Sequence, residues 1–188
     1  MRISRHYSDH HVNEDIFEMC LVVYEDQTRG WFHDQARILE KASDHAGFVL
    51  LLIAVSYIES YAVFWKGKDS RNRSQEFFRD AFKDIFPIEA GNSAILDKAI
   101  NEIYHQVRCG LFHVGVTRGK VILSGEFDHA VGIEVNNETK EVVRISINPH
   151  KILDTIEEHF SSYVMRLRNP DEEELRTNFN RAWNLRLE

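Results

Sequence analysis

The sequence predicts a mainly α fold, a helical bundle with a small antiparallel β insert between its fourth and fifth helices. Three observations predict it. Apolar residues recur at steps of three and four through much of the chain, as in Leu96, Ile100, Ile103, Val107, Leu111 and Val114. The period changes to two between about residues 117 and 148. It returns to the helical period after Asn148-Pro149, a dipeptide suited to a helix start, with Asn as cap and Pro in the first turn.

Composition bounds what such a bundle can do. A chain of 188 residues suits one domain, and 43% hydrophobic with 11% aromatic residues suffices for a core. The net charge of −7 excludes a general nucleic-acid-coating role, which needs clustered Lys and Arg, but leaves room for a local basic site. Cys20 and Cys109 stand far apart and give no disulfide or metal framework. The start Met1-Arg2-Ile3-Ser4-Arg5 lacks the pattern of a signal peptide, so a reducing cytoplasmic setting is expected.

Residues 1–12 read as a polar, partly disordered arm ahead of a single helical domain over residues 13–188. The arm holds His6, Asp9, His10 and His11, which are metal-ligand types. Nothing downstream completes a ligand set, and no metal or other cofactor is expected. Asn13 is a candidate cap, followed by Glu14 and Asp15 where the helix dipole favours negative charge. That helix continues through Ile16, Cys20, Val23, Trp31 and Ile38, with Gly30 as a point of interruption, and Asp44 can cap the next one. Residues 46–65 are the most apolar segment and long enough to raise the question of a membrane span. Glu59, Ser56 and Ser60 within it argue instead for a central bundle helix buried nearly all round, with no membrane contact. A buried Glu59 needs a partner, so pairing with an arginine is its expected role, with a catalytic carboxylate as the alternative.

Lys66 to Ser74 is a loop in which Lys66, Lys68, Arg71 and Arg73 face one acidic residue, either a solvated connector or a phosphate-contacting patch. Ser74 can cap a short helix through Phe77, Phe78, Phe82 and Ile85 that stops before Pro87, and Asn92 or Ser93 caps the next. After Gly115, Lys120–Ser124 is a strand candidate. Val131, Ile133 and Val135 alternate, as do Val143, Ile145 and Ile147, with Asn136–Lys140 as the hairpin loop between them. C-terminal helices fill about residues 149–188, the second starting at Asn169-Pro170.

The chemistry concentrates in the helix that ends I-Y-H-Q-V-R-C-G-L-F-H-V-G, residues 103–115. Arg108 and His113 are residue types suited to proton transfer and phosphate binding without a metal. Histidine titrates near neutrality and can move a proton, while arginine offers a planar, permanently charged fork to phosphate oxygens. On a straight helix, five steps of ~100° put the two roughly 140° apart. Both reach one phosphate if the helix ends or bends near Gly110, or if two copies meet at a two-fold axis. Structurally, Arg108 can instead pair with Glu59 or Asp97, and His113 can bond the last carbonyls of its helix.

The run Arg108-Cys-Gly-Leu-Phe-His113, with Tyr104 before it, Leu111-Phe112 inside it and Gly115 after it, resembles the signature of the HEPN superfamily. Those helical proteins, many of them metal-independent ribonucleases, carry Arg, four to six residues, then His near the end of a bundle helix. The resemblance covers about residues 14–116. It implies a homodimer with a composite cleft, single-stranded RNA as substrate, a toxin or defence role, and an antitoxin or regulatory protein as partner. Active members often place a polar residue directly after the arginine. Cys109 stands there here, which favours the second reading: a non-catalytic module binding RNA, a nucleotide or a protein. Tyr104 and His105, about one turn before Arg108, are candidate substrate contacts alongside Cys109.

Overall fold

A computed structural model describes residues 3–8, 16–88, 93–114, 117, 119–136 and 138–185, with Phe112 and Val114 described by their backbone alone. The first helical run is α1 (Phe17–Thr28), a π-helical turn (Arg29–His33) and α2 (Asp34–Ala42). Then come α3 (Gly47–Lys66) and α4 (Ser74–Ile85). The fourth run is α5 (Ser93–Ile103), a second π-helical turn (Tyr104–Arg108) and α6 (Cys109–Val114). Strands β1 (Val121–Leu123), β2 (Val131–Val135) and β3 (Val142–Ile147) follow, and α7 (Pro149–Arg168) and α8 (Glu173–Leu185) complete the described chain. The insert therefore falls between the fourth and fifth helical runs, where the change of apolar period placed it.

The centre is α3, which packs on α4, α7 and α8. Leu50, Leu51, Ala54, Val55, Tyr57, Ile58, Tyr61 and Ala62 are buried along it. Tyr24 from α1, Phe64 from α3, Phe160 from α7 and Phe179 from α8 meet as a ring cluster with centroids 4.4–5.7 Å apart. Such rings bury the largest apolar areas available and favour tilted and edge contacts. Gly67 ends α3 in the left-handed region at φ 60°; a Cβ there would stand 2.7 Å from the Asn178 Cα, so α8 crosses closely only because the residue is glycine.

The helix is not buried nearly all round. Val49, Leu52, Ile53, Ser56, Glu59, Ser60 and Val63, spaced by three and four, form a stripe that is exposed or half-buried. α4, α7 and α8 cover the other side. The first and fourth helical runs flank this stripe, and each approaches it with its π turn.

Local starts and stops differ from the sequence reading in instructive ways. Asn148 caps α7 as expected, its Oδ1 accepting from the His150 and Lys151 amides at 2.9 and 3.3 Å. Ser74 does not cap α4; its hydroxyl pairs with the Tyr104 hydroxyl at 2.7 Å. Asp44 does not cap α3, where Ala46 is the cap residue without a side-chain bond. Asn169-Pro170 makes a turn, in which Asn169 Oδ1 accepts from the Asp171 amide, and α8 begins only at Glu173. Asn13 and Asn92 lie outside the described residues.

The insert is a mixed sheet and not a purely antiparallel one. Its order is β1-β3-β2, with β2 antiparallel and β1 parallel to β3. The hairpin places β3 beside β2, so β1 is left to pair on the far side of β3. The connection 124–130 crosses the end of β3, where Asn148 Nδ2 donates to the Gly125 and Phe127 carbonyls at 2.9 and 2.7 Å. One buried Asn148 thus caps α7 and holds the crossing. Ile145 and Ile147 face the core as expected, but Val143 is 48% exposed and Val142 takes the inward place. A register shift opposite Glu134/Val135 inserts one extra residue, the effect of a β-bulge on alternation.

The described part of the N-terminal arm is docked, not trailing. His6 Nδ1 pairs with Asp26 Oδ1 at 2.6 Å, Arg5 pairs with Asp34 at 2.8 Å, and the Gln27 amide donates to the Ile3 carbonyl. Asp9, His10 and His11 lie outside the described residues. Among those described, no group of three His, Cys, Asp or Glu side chains is placed to hold a metal.

Candidate functional site

The helix bearing Arg108 does not end at Gly110. It runs to Val114, and its irregularity comes earlier. The Cys109 amide donates to the Tyr104 carbonyl five residues back, which widens the turn Tyr104–Arg108. Arg108 leaves this turn toward the α3 stripe. Its Nε donates to Glu59 Oε1 at 2.6 Å and its Nη2 to Oε2 at 3.2 Å, a two-point contact that fixes the guanidinium plane. The guanidinium also lies 5.6 Å from the Tyr104 ring centroid. The Glu59 hydrogen bond holds the Arg108 pKa above its ordinary value. Arg108 thus takes the first of its two candidate partners, and Asp97 pairs with Lys83 at 2.7 Å instead. Both partners of the Arg108 pair remain about a quarter exposed, so the charge sits at the rim of the stripe and not in the core.

His113 is exposed on the last turn of α6. Within one chain, then, the structure pairs Arg108 with a carboxylate and leaves His113 facing outward. Cys109 is a free, half-buried thiol packed on the core edge. Tyr104 is largely buried, with its hydroxyl on Ser74 and its ring on Phe78 at 5.5 Å. His105 is exposed and lies 3.4 Å from the Gln75 amide nitrogen.

Those last contacts bring the end of the basic loop against the same π turn. Ser74 and Gln75 touch Tyr104 and His105, so Arg73 stands next in sequence to a residue that contacts the site. The basic side chains are largely matched locally. Lys66 pairs with Asp80 at 2.5 Å, Arg73 with Glu76 at 2.6 Å and Arg71 with Asp69 at 3.7 Å, while Lys68 is exposed. The other side of the turn anchors the sheet: Gln106 Oε1 accepts from the Lys120 amide at 2.8 Å.

Across α3, the first π turn carries a residue that the sequence reading did not single out. The Asp34 amide donates to the Arg29 carbonyl, again five residues back, and the turn carries His33 into the core at 2% exposure. Its ring packs edge-on to Tyr57 and Phe160, with centroids 5.6 and 5.3 Å away. Neither ring nitrogen has a hydrogen-bond partner among the described residues. Burial, with Arg29 nearby, pushes its pKa down to about 4, so the ring is neutral at pH 7. The sequence signal for it was Gly30 inside a helical pattern, beside Trp31 and Phe32.

Behind Tyr57 lies a connected polar chain. Tyr57 OH meets His159 Nδ1 at 2.7 Å, His159 Nε2 meets Asp84 Oδ2 at 3.1 Å, and Tyr61 OH donates to the same oxygen at 2.6 Å. The His159 bond holds the Asp84 carboxyl below its ordinary range, and burial pushes the Tyr57 hydroxyl up. This chain locks α3, α4 and α7 together and is not set up as a nucleophile. Comparison of the chain with family models, with curated proteins and with solved structures finds no match.

Proposed function

We propose that the chain is a HEPN-like, metal-independent endoribonuclease that acts on single-stranded RNA as a homodimer. The observation that carries the reading is the placement of Arg108, held flat by Glu59 at the rim of an open, partly apolar stripe. Glu59 positions the guanidinium, Arg108 stabilises the crowded phosphate, and His113 transfers a proton. Because His113 faces outward on α6 and Arg108 faces α3, the reading draws the two from facing copies across a two-fold axis near residues 104–113. A toxin or defence role, control by an antitoxin-like protein and a reducing cytoplasmic setting belong to the same proposal. Cys20 and Cys109 are not joined in a disulfide, which is compatible with that setting.

A second reading is favoured by one observation: Glu59 neutralises Arg108, and Cys109 follows it where a polar residue is more usual in active relatives. On that reading the chain binds RNA, a nucleotide or a protein without cutting. The two part company in one assay, purified protein with end-labelled RNA in excess EDTA, run beside a binding titration. Cleavage that disappears in both Arg108→Ala and His113→Ala supports the nuclease. Binding without cleavage by the wild type supports the module. Cleavage that survives both substitutions defeats the nuclease assignment.

A further inference from the structure

Between the first helical run and α3 is a cavity of about 60 Å³. Thr28, Phe32, His33, Ser56, Tyr57 and Ser60 line it, with Tyr24 at the back. Phe32 and Ser60 are exposed, so the cavity opens to solvent between the first π turn and α3. Among the described lining residues His33 is the one titratable group besides the two tyrosines, and none carries a formal charge at pH 7.

The lining has a definite chemistry. A neutral imidazole presents one N–H donor and one acceptor nitrogen. Both His33 nitrogens are buried and unpartnered among the described residues, a costly arrangement unless a polar group meets them. Thr28, Ser56 and Ser60 add hydroxyls that rotate to donate or accept, although Ser56 already donates to the Leu52 carbonyl at 2.9 Å. Phe32, Tyr24 and Tyr57 supply aromatic walls. A space this size is well below the ~150 Å³ of a cavity that holds a whole benzene ring, so it takes the edge of a ring and not the whole of one. Among the described residues no cationic side chain lines it, so it favours a neutral edge over a phosphate.

We propose that this cavity is a subsite for the hydrogen-bonding edge of a nucleobase, with the body of the ring lying against Phe32 at the mouth. The base is brought in by a free nucleoside or nucleotide, or by an RNA strand lying along the α3 stripe, and only this second source rests on the RNA reading above. The helix geometry suits the strand: Ser56, on the cavity wall, and Glu59, under Arg108, are three residues apart on the same face of α3. Flat aromatic walls accept any base, and the His33 edge selects among them by donor and acceptor pattern.

The test follows the His33 ring nitrogens by long-range ¹H–¹⁵N NMR during separate titrations with the four nucleosides, with inorganic phosphate and with a short RNA oligonucleotide. The proposal expects saturable shifts at His33 with at least one nucleoside and none with phosphate. His33→Leu should weaken that nucleoside about tenfold or more through loss of its hydrogen bond. His33→Gln, which keeps a donor and an acceptor, should retain part of the binding. Ser60→Leu, which blocks the mouth from an exposed position, should abolish access without disturbing the core. If neither nucleosides nor RNA move the His33 signals while RNA is still bound or cut, the subsite is refuted and the RNA reading stands. If nucleosides bind at His33 but RNA is neither bound nor cut, the subsite stands for a free nucleoside or nucleotide and the RNA reading falls. Shifts equally strong with phosphate, or unchanged in Ser60→Leu, would also overturn the proposal.

Discussion

Arg29–His33 and Tyr104–Arg108 are five-residue π turns within otherwise α-helical runs, and each ends on a basic side chain turned toward α3. The residues they reach are close in sequence: His33 packs on Tyr57, and Arg108 binds Glu59. The outcomes are opposite. His33 is driven into an aromatic core, has no hydrogen-bond partner among the described residues and is held neutral. Arg108 stops at the rim, gains a carboxylate and keeps its charge. The difference lies in depth. A few ångströms of burial decide whether a basic group is cheaper to discharge or to pair. Imidazole can give up its proton near neutral pH, whereas guanidinium cannot, so the residue suited to each depth stands there.

The sharpest way to break this contrast is at the charged side. In the RNA cleavage assay with EDTA, Arg108→Ala and His113→Ala should each reduce the rate on the order of 10²–10⁴-fold. Equal rates in wild type and both variants would make the Arg108 turn purely structural.

The neutral side is tested by stability against pH. The folded His33 pKa of about 4 lies below the ordinary 6.5, so the unfolded chain binds more protons between those values. Stability from a neutral His33 is therefore complete above pH 6.5 and lost as pH falls toward 4. Between pH 7.5 and 5 the loss should be about 2 kcal/mol, read by urea unfolding. Arg29, Asp34 and Arg37 also act on this ring, so the comparison is with His33→Leu, which should flatten that part of the profile. Parallel profiles for the two proteins would mean that His33 is not held neutral by burial.

A smaller effect measures the rim pair itself. With both partners about a quarter exposed, a double-mutant cycle of Glu59→Gln and Arg108→Gln should give a coupling of no more than about 1 kcal/mol in unfolding free energy. A coupling of ~3 kcal/mol or more would place the pair in the regime of buried ion pairs and erase the contrast of depth. The smallest change is expected from Gly30→Ala in the first π turn. The added Cβ would meet the Arg5 Cδ at 3.0 Å and the Arg5 Cβ at 3.1 Å, so the docked arm must give by a few tenths of an ångström. The shift should stay within about 0.5 kcal/mol, because Ala favours the helix while the docked arm loosens slightly. A much larger loss by thermal melting would show that arm docking at Gly30 stabilises the turn.

The sequence by itself determined the mainly α class, the order of the helical runs, the position of the strand insert and the start of α7 at Asn148-Pro149. These follow from apolar period and capping chemistry, which act over a few residues and are written locally. It also raised Glu59 as a carboxylate in need of a partner and named Arg108 as a candidate for it. Tertiary structure decided the rest. Two π turns arise from single displaced backbone bonds, which leave no trace in a pattern of apolar residues. The bulge at Val143 and the parallel pairing of β1 depend on how the chain crosses the end of β3, and Ser74 leaves its expected cap for Tyr104. Above all, Ser56, Glu59 and Ser60 mark part of the open stripe on α3, but its apolar members Val49, Leu52, Ile53 and Val63 could not be told in sequence from the buried ones. Sequence states which residues avoid water, but only the packing of the other elements decides which of them are covered.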